Sequence, residues 1–341
     1  LRPDPQLKLF LIITQIIPET MKQRTLCILG GSGFVGSHLI PRFIQEGFAV
    51  KVLSRRPHRH RELQVMPEVR LVKQTEYTSA ALAEQFADAD AVINLVGILN
   101  ESGRSGHGFQ QAHVELPRQI IAACRQTGVP RLLHMSALNA DTEGPSHYLR
   151  TKGEAEALVH AAAGPDLHVA SLRPSVIFGP GDSFLNRFAG ILRMAPGVLP
   201  LACPHARFAP VYVGDVADAF GQALHTSAQS TRVDLCGPKA YTLAELVRYT
   251  ADLLGKRCRV VGLNDRLSWL QARVFDYVPG KPFSMDNYRS MQCDSVCPEG
   301  TPPCPTALEA VAPYYLGHNE HQHQLQRYRQ MAGRDTVELN T

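Results

Sequence analysis

A chain of 341 residues with 44% apolar and 19% charged side chains can bury a substantial core and has the composition of a globular protein soluble in water. Its formal net charge of +4 is mild, and no stretch interleaves basic and aromatic residues, so nucleic acid is excluded as a partner. One large domain or two intimately joined ones are expected.

Residues 1–21 stand apart from the rest of the chain. Their apolar run, LKLFLIITQII, is eleven residues long and interrupted by Lys8, Thr14 and Gln15, too short to span a bilayer. No A-x-A-like cleavage site comes after it, so it reads as an extension ahead of the fold, with Met21 as a working start.

TLCILG (25–30) is a short apolar strand ending in glycine, and a helix follows from Phe34 to about Glu46, with a kink expected at Pro41. FAVKVLS (48–54) and VRLVK (69–73) read as the second and third strands, with a helix over LAEQFADAD (82–90) after them. AVINLVG (91–97) is a fourth strand, VELPRQIIAACRQTG (114–128) a helix and RLLHMS (131–136) a fifth strand. Tyr148 to about Ala163 is helical, and HVASLRP (168–174) is the sixth strand. Strands that are apolar throughout, alternating with helices, predict an α/β fold. Its centre is a doubly wound, Rossmann-type parallel sheet covered on both faces.

Residues 22–182 carry that pattern. Beyond them Pro196, Pro200, Pro204 and Pro210 punctuate the chain, VYVGDVADAFGQALH restores a strand and a helix, and TLAELVRYTADLLG (242–255) is an amphipathic helix. We expect 207–235 to return to the sheet, and 183–206 with 236–320 to form a smaller, irregular substrate-side region. The last residues, 321–341, form a polar tail, and His318, His321 and His323 around its start read as solvated.

The eight cysteines are expected to be reduced thiols, since a chain of this length needs no staples. Cys293, Cys297 and Cys304 invite a metal reading, but they lack a C-x-x-C pair and a fourth ligand, so no metal site is assigned.

LGGSGFVGSHL sets Gly30, Gly33 and Gly36 at G-x-x-G-x-x-G spacing between a strand and a helix. One glycine permits the sharp turn, one the approach of a pyrophosphate, and one close helix–strand packing. The helix start at Phe34 and Val35 offers N–H groups to the phosphates. The second strand ends in Ser54, Arg55 and Arg56, where an acidic residue would favour NAD(H). A guanidinium there suits a 2′-phosphate, so NADP(H) is predicted in preference to NAD(H), with Ser54 and Arg55 at the contact. Arg56 also fits a plain surface charge.

These glycines, Y-x-x-x-K at 148–152 and RPSVIFGPGD (173–182) resemble the extended and atypical short-chain dehydrogenase/reductase superfamily. GGSGFVG, NLVGIL, MSALNA, YLRTKGEAE, RPSVIFGPGDSFLNRF and VPGKPFSMDN, in that order between about 22 and 315, are similar to one branch, the family of the 39-kDa subunit of respiratory complex I. The resemblance implies tightly held NADP(H). For mitochondrial members it implies an accessory place in complex I. A related branch takes part in coenzyme Q biosynthesis, and many bacterial members are free-standing. It places Asn94 and Gly97 beside the cofactor after the fourth strand, Pro174 and Val176 beside the nicotinamide after the sixth, and Asp215 near the return to the sheet. The expected location is cytoplasmic, peripheral at the inner membrane.

Tyr148 and Lys152, four apart on one helix face, can act together. A nearby ammonium favours the phenolate, so Tyr148 can serve as acid and base while Lys152 lowers its pKa and binds the nicotinamide ribose. Ser136 is the candidate hydroxyl donor to substrate. The superfamily pattern puts that hydroxyl one residue later, where this chain has Ala137, and neighbouring strand residues face opposite ways. Two readings result. One is an NADP(H)-dependent oxidoreductase acting on a small or lipid-like carbonyl or quinone-related compound. The other is a catalytically weak, NADP(H)-bound accessory or assembly protein of a respiratory or quinone-biosynthesis complex. Trp269, in RLSWLQARVFDYVPG, reads as a cover over the substrate cleft, the alternative being an interfacial amphipathic segment.

Overall fold

The computed structural model describes residues 23–317 apart from 102, 196, 279 and 280. The extension and the tail, with Met21 and the three late histidines, lie outside the described residues.

Seven strands form one parallel sheet: β1 (Thr25–Leu29), β2 (Ala49–Ser54), β3 (Val69–Lys73), β4 (Ala91–Asn94), β5 (Arg131–Met135), β6 (His168–Pro174) and β7 (Ser230–Leu235). Their spatial order is β7-β6-β5-β4-β1-β2-β3, with the direction of winding reversed beside β1. The continuous apolar runs are explained by burial on both sides. Leu26 and Ile28 of β1 enter one core with Leu39, Ile40 and Phe43 of α1 (Phe34–Gln45) and Phe220 of α6 (Val213–His225). Their neighbours Cys27 and Leu29 enter the other. There they meet Phe86 of α2 (Ser79–Phe86), Ile120 of α3 (Leu116–Thr127) and Val159 of α4 (His147–Ala161).

α1 runs as one helix through Pro41, held on either side of it by the buried Ile40 and Phe43. β4 stops at Asn94, three residues short of the predicted strand, because the Asn94 Oδ1 accepts the Val96 N–H at 3.1 Å and turns the chain. Before α3, Gln110–Glu115 forms a π-helical turn, and Pro117 lies where that turn passes into α3.

The remaining helices build a separate core. α5 (Leu185–Met194), α7 (Leu243–Leu253) and α10 (Leu308–Leu316) bury Leu185, Leu192, Leu246, Val247 and Tyr315 against Phe178. A two-stranded parallel ribbon, Val198–Leu201 with Arg259–Gly262, leads to α8 (Asp265–Phe275) and α9 (Met285–Ser290). No helix among the described residues is long and apolar enough to cross a membrane.

The thiol expectation needs one correction. Cys236, just after β7, is joined to Cys297 by a disulfide spanning 61 residues. The bond pins the loop that precedes α10 to the end of the sheet, and Cys304 also donates its N–H to the Cys236 carbonyl at 2.8 Å.

Candidate functional site

The turn after β1 is closed to side chains. Gly30 has φ +77°, and a Cβ there would lie 3.0 Å from the backbone C of Leu95 and N of Val96. A Cβ on Gly36 would lie 2.2 Å from the Gly31 carbonyl oxygen. The turn therefore brings β1, the chain after β4 and the start of α1 into backbone contact. Gly33 is the N-cap of α1 and no side chain caps that end, which leaves the first-turn N–H groups of Phe34 and Val35 for an anion. This cradle fits a pyrophosphate.

At the end of β2, Ser54 is buried and its Oγ accepts the Arg56 N–H at 3.3 Å. Arg55 and Arg56 are exposed, and neither forms an ion pair among the described residues. Burial pushes the Tyr77 phenol up, and the nearby Arg55 charge pulls it the other way. No carboxylate lies between Ser54 and Arg61 to compete for that guanidinium.

Past β4, Gly97 faces the helix that carries the tyrosine and the lysine. A Cβ on Gly97 would lie 3.3 Å from the Lys152 Nζ and 3.7 Å from the His113 Nε2. Asn94, in contrast, is buried and turned inward, its amide 3.2 Å from the His134 Nδ1. It shapes the loop that presents Gly97. Pro174, at the end of β6, is also buried; its carbonyl accepts the Leu138 N–H at 3.0 Å, and that of Val176 accepts the Val211 N–H at 3.0 Å. Asp215 holds Thr306, accepting its hydroxyl at 2.7 Å and its N–H at 3.0 Å.

Ser146 caps α4, its Oγ accepting the Leu149 N–H at 3.1 Å. Tyr148 and Lys152 follow one turn apart. The half-buried Tyr148 ring meets His113 edge-to-face at 5.6 Å and Phe109 at 6.3 Å, and desolvation pushes its phenol up to about 12. Lys152 is buried and donates to the Met135 carbonyl at 2.9 Å. Burial brings its ammonium down to about 8, with the Glu156 carboxylate opposing the shift. The phenol thus keeps its proton at neutral pH. Its shift is set by burial, and the lowering expected from the Lys152 ammonium is not seen.

The structure does not bring Ser136 to the phenol. Its hydroxyl donates to Glu156 Oε2 at 2.5 Å, two turns along α4 from Tyr148 and so about 12 Å of helix rise away. The strand alternation explains the outcome: Ser136 turns with His134 toward the face under α4, and the buried Ala137 stands at the next place. Glu156 is also gripped by Arg232 at 2.7 Å and approached by Arg173 at 3.6 Å, making a shielded charged cluster below the lysine.

Three residues escaped the sequence reading. Glu156 was legible, since Tyr148, Lys152 and Glu156 form a four-residue repeat on one face. His113 is fully buried; its Nε2 accepts the Ile98 N–H at 3.0 Å, so its Nδ1 carries the proton and donates to the Thr151 hydroxyl at 3.0 Å. Burial and the Lys152 charge hold its imidazole well below the usual range. It is delivered by the π-helical turn, for which the sequence carries no signal. Asp286, in α9, accepts N–H groups from the first turn of α4 at long sequence range. Trp269 lines an open depression with Asp265, Arg266, Leu270 and Tyr288 rather than the space beside Gly97.

Comparison with protein families matches residues 26–236 to the profile described as the NAD dependent epimerase/dehydratase family. Among characterised proteins, the mitochondrial NADH-ubiquinone oxidoreductase 40 kDa subunit of Neurospora crassa is 26% identical over 247 residues, 71% of this chain and 64% of that protein. The chain thus covers less than two thirds of that subunit. The ceramide reductase of Caulobacter vibrioides is 30% identical over 243 residues, 70% of this chain and 73% of that protein. Of solved structures, MoeE5 in complex with UDP-glucuronic acid and NAD aligns with a TM-score of 0.60 at 20% identity, over 84% of this chain and 91% of that one. The UDP-glucuronic acid 4-epimerase from Bacillus cereus aligns with a TM-score of 0.62 at 16% identity, over 80% and 95%. At such identities these two structures show the fold alone.

Proposed function

The chain belongs to the NAD dependent epimerase/dehydratase family, within the branch that resembles the 39-kDa complex I subunit, and from that premise we propose an NADP(H)-dependent oxidoreductase acting on a lipid-like carbonyl compound. The observation that carries it is the approach of the Lys152 Nζ to within 3.3 Å of the place a Gly97 side chain would fill. It leaves the lysine at the carboxyl end of β4, the same end of the sheet on which the uncapped helix start after β1 opens.

In this reading the first-turn amides of α1 bind the pyrophosphate, and Arg55 pairs with a 2′-phosphate. A nicotinamide held beside Pro174 and Val176 would supply a hydride. Tyr148 would give its Oη proton to the carbonyl oxygen of the substrate, and Lys152 would hold the nicotinamide ribose and stabilise the phenolate left behind. Ser136 acts from behind, fixing Glu156 beneath Lys152. The ceramide reductase likeness favours a substrate with acyl chains.

Ala137 supports a second reading, since Ser136 leaves Tyr148 without the hydroxyl neighbour that the wider superfamily pattern supplies. The protein is then an NADP(H)-holding accessory subunit of a respiratory or quinone-forming assembly; the Neurospora crassa relative is named as a subunit of NADH-ubiquinone oxidoreductase. One experiment separates the two. Purified protein is mixed with NADPH and a panel of long-chain ketones and quinones, and absorbance of the reduced nicotinamide is followed. Turnover that disappears in Tyr148→Phe supports the oxidoreductase; tight binding without oxidation supports the accessory role; no binding of either dinucleotide overturns both.

A further inference from the structure

α8 is turned inside out. Its buried positions are Ser268 and Ala272, while Leu267, Trp269, Leu270 and Val274 are between 44% and 52% exposed. Leu267, Leu270 and Val274 follow one another at helical spacing, so they form one outward apolar stripe. The ribbon that precedes it also carries exposed apolar residues. Val198 and Val261, half-exposed, stand on its outer side while Leu199, Leu201 and Val260 turn inward. The Gln271 amide donates to the Pro200 carbonyl at 3.4 Å and ties helix to ribbon.

The charge around this stripe is positive on balance. Between 256 and 278 the chain has five basic residues (Lys256, Arg257, Arg259, Arg266, Arg273) against two acids (Asp265, Asp276), a net of +3 from 5 − 2. Asp265 accepts the Tyr288 hydroxyl at 2.7 Å, and the Arg273 guanidinium lies 5.6 Å over the Trp269 ring. Aliphatic side chains flanked by guanidinium groups, with an indole at the margin, make a surface that suits the boundary between acyl chains and anionic headgroups. A patch of this kind left open to water marks an interaction site.

We propose that the outer face of α8 and its ribbon docks the protein on a bilayer bearing anionic phospholipids. The aliphatic stripe enters the acyl boundary, Trp269 lies at headgroup depth, and Arg259, Arg266 and Arg273 meet the phosphates. The docking is independent of the reaction proposed above, since none of these residues touches the glycine turn or Tyr148.

The test is sedimentation of the full chain with phosphatidylglycerol-containing vesicles, against vesicles of phosphatidylcholine alone. The wild type is expected to pellet with the anionic vesicles and to be released by salt. Leu270→Glu/Val274→Glu and, separately, Arg266→Glu/Arg273→Glu are expected to lower the bound fraction about tenfold or more, with unchanged circular dichroism. Three outcomes overturn the proposal. The wild type stays in the supernatant; or it binds and both variants bind equally well; or ultracentrifugation without lipid shows an oligomer that the same variants dissociate, which makes a second copy the occupant.

Discussion

The Asp286 carboxylate accepts the backbone N–H of His147 at 2.7 Å and that of Tyr148 at 3.1 Å. A residue 138 positions downstream therefore fixes the first turn of the helix that carries the phenol, and it places a negative charge at that helix's positive end. Asp286→Ala is expected to lower stability by about 1–2 kcal/mol, as loss of a helix cap does. It is also expected to lower kcat with little change in cofactor affinity, because the glycine turn is untouched. Asp286→Asn, which keeps an acceptor oxygen, should recover part of both. Urea unfolding and NADPH titration of the two variants check this.

Lys152 gives a pH dependence with a definite sign. Its ammonium, brought down to about 8 by burial, is present below that pH and lost above it. Reductive kcat/KM is therefore expected to fall as pH rises through about 8. Glu156 opposes the shift, so Glu156→Gln should move the inflection lower. It should also cost about 1–3 kcal/mol, since Arg232 and Ser136 lose a charged partner. A pH–rate profile of both proteins decides it; an inflection that moves upward contradicts the assignment.

Arg55 is the proposed 2′-phosphate contact. Arg55→Asp removes a charge-assisted pair and sets a carboxylate against the phosphate, so NADPH affinity is expected to drop about tenfold to a hundredfold. NADH affinity should hold or improve. Calorimetric titration of both dinucleotides reads the difference, and unchanged NADPH binding would remove Arg55 from the site.

Closing a 61-residue loop, the Cys236–Cys297 bond is expected to contribute up to about 4 kcal/mol by restricting the unfolded chain. Thermal unfolding with and without dithiothreitol should show a lower midpoint on reduction, and Cys297→Ser should reproduce it without reductant. A non-reducing peptide map checks the pairing itself.

The sheet could be read from the sequence because its signals are local: apolar runs such as TLCIL, closed by Gly30, and AVIN. The glycine turn and the Tyr148–Lys152 pair were legible for the same reason, being fixed by spacing on one strand–turn–helix or one helix face. What escaped depends on distant contacts. The hydroxyl of Ser136 goes to Glu156 through the facing of a strand against a helix, and α4 receives its anchor from Asp286 in the short helix α9, 138 residues further along the chain. Cys236 and Cys297 pair across a loop whose path only tertiary packing sets. The sequence stretch RLSWLQARVFDYVPG fits either a cover over the cleft or an interfacial segment, and the side Trp269 faces is decided by the burial of Ser268 and Ala272.

The similarity to the family profile stops at residue 236, but the folded unit does not. Beyond that point Asp286 secures α4, the Ser295 carbonyl accepts the hydroxyl of Ser175 at 2.7 Å, and Thr306 occupies Asp215. A shortened version ending at 236 would strip three anchors from the half it keeps. Dissecting the protein at that point would therefore yield a poor stand-in for the intact molecule, however complete its strands looked on paper.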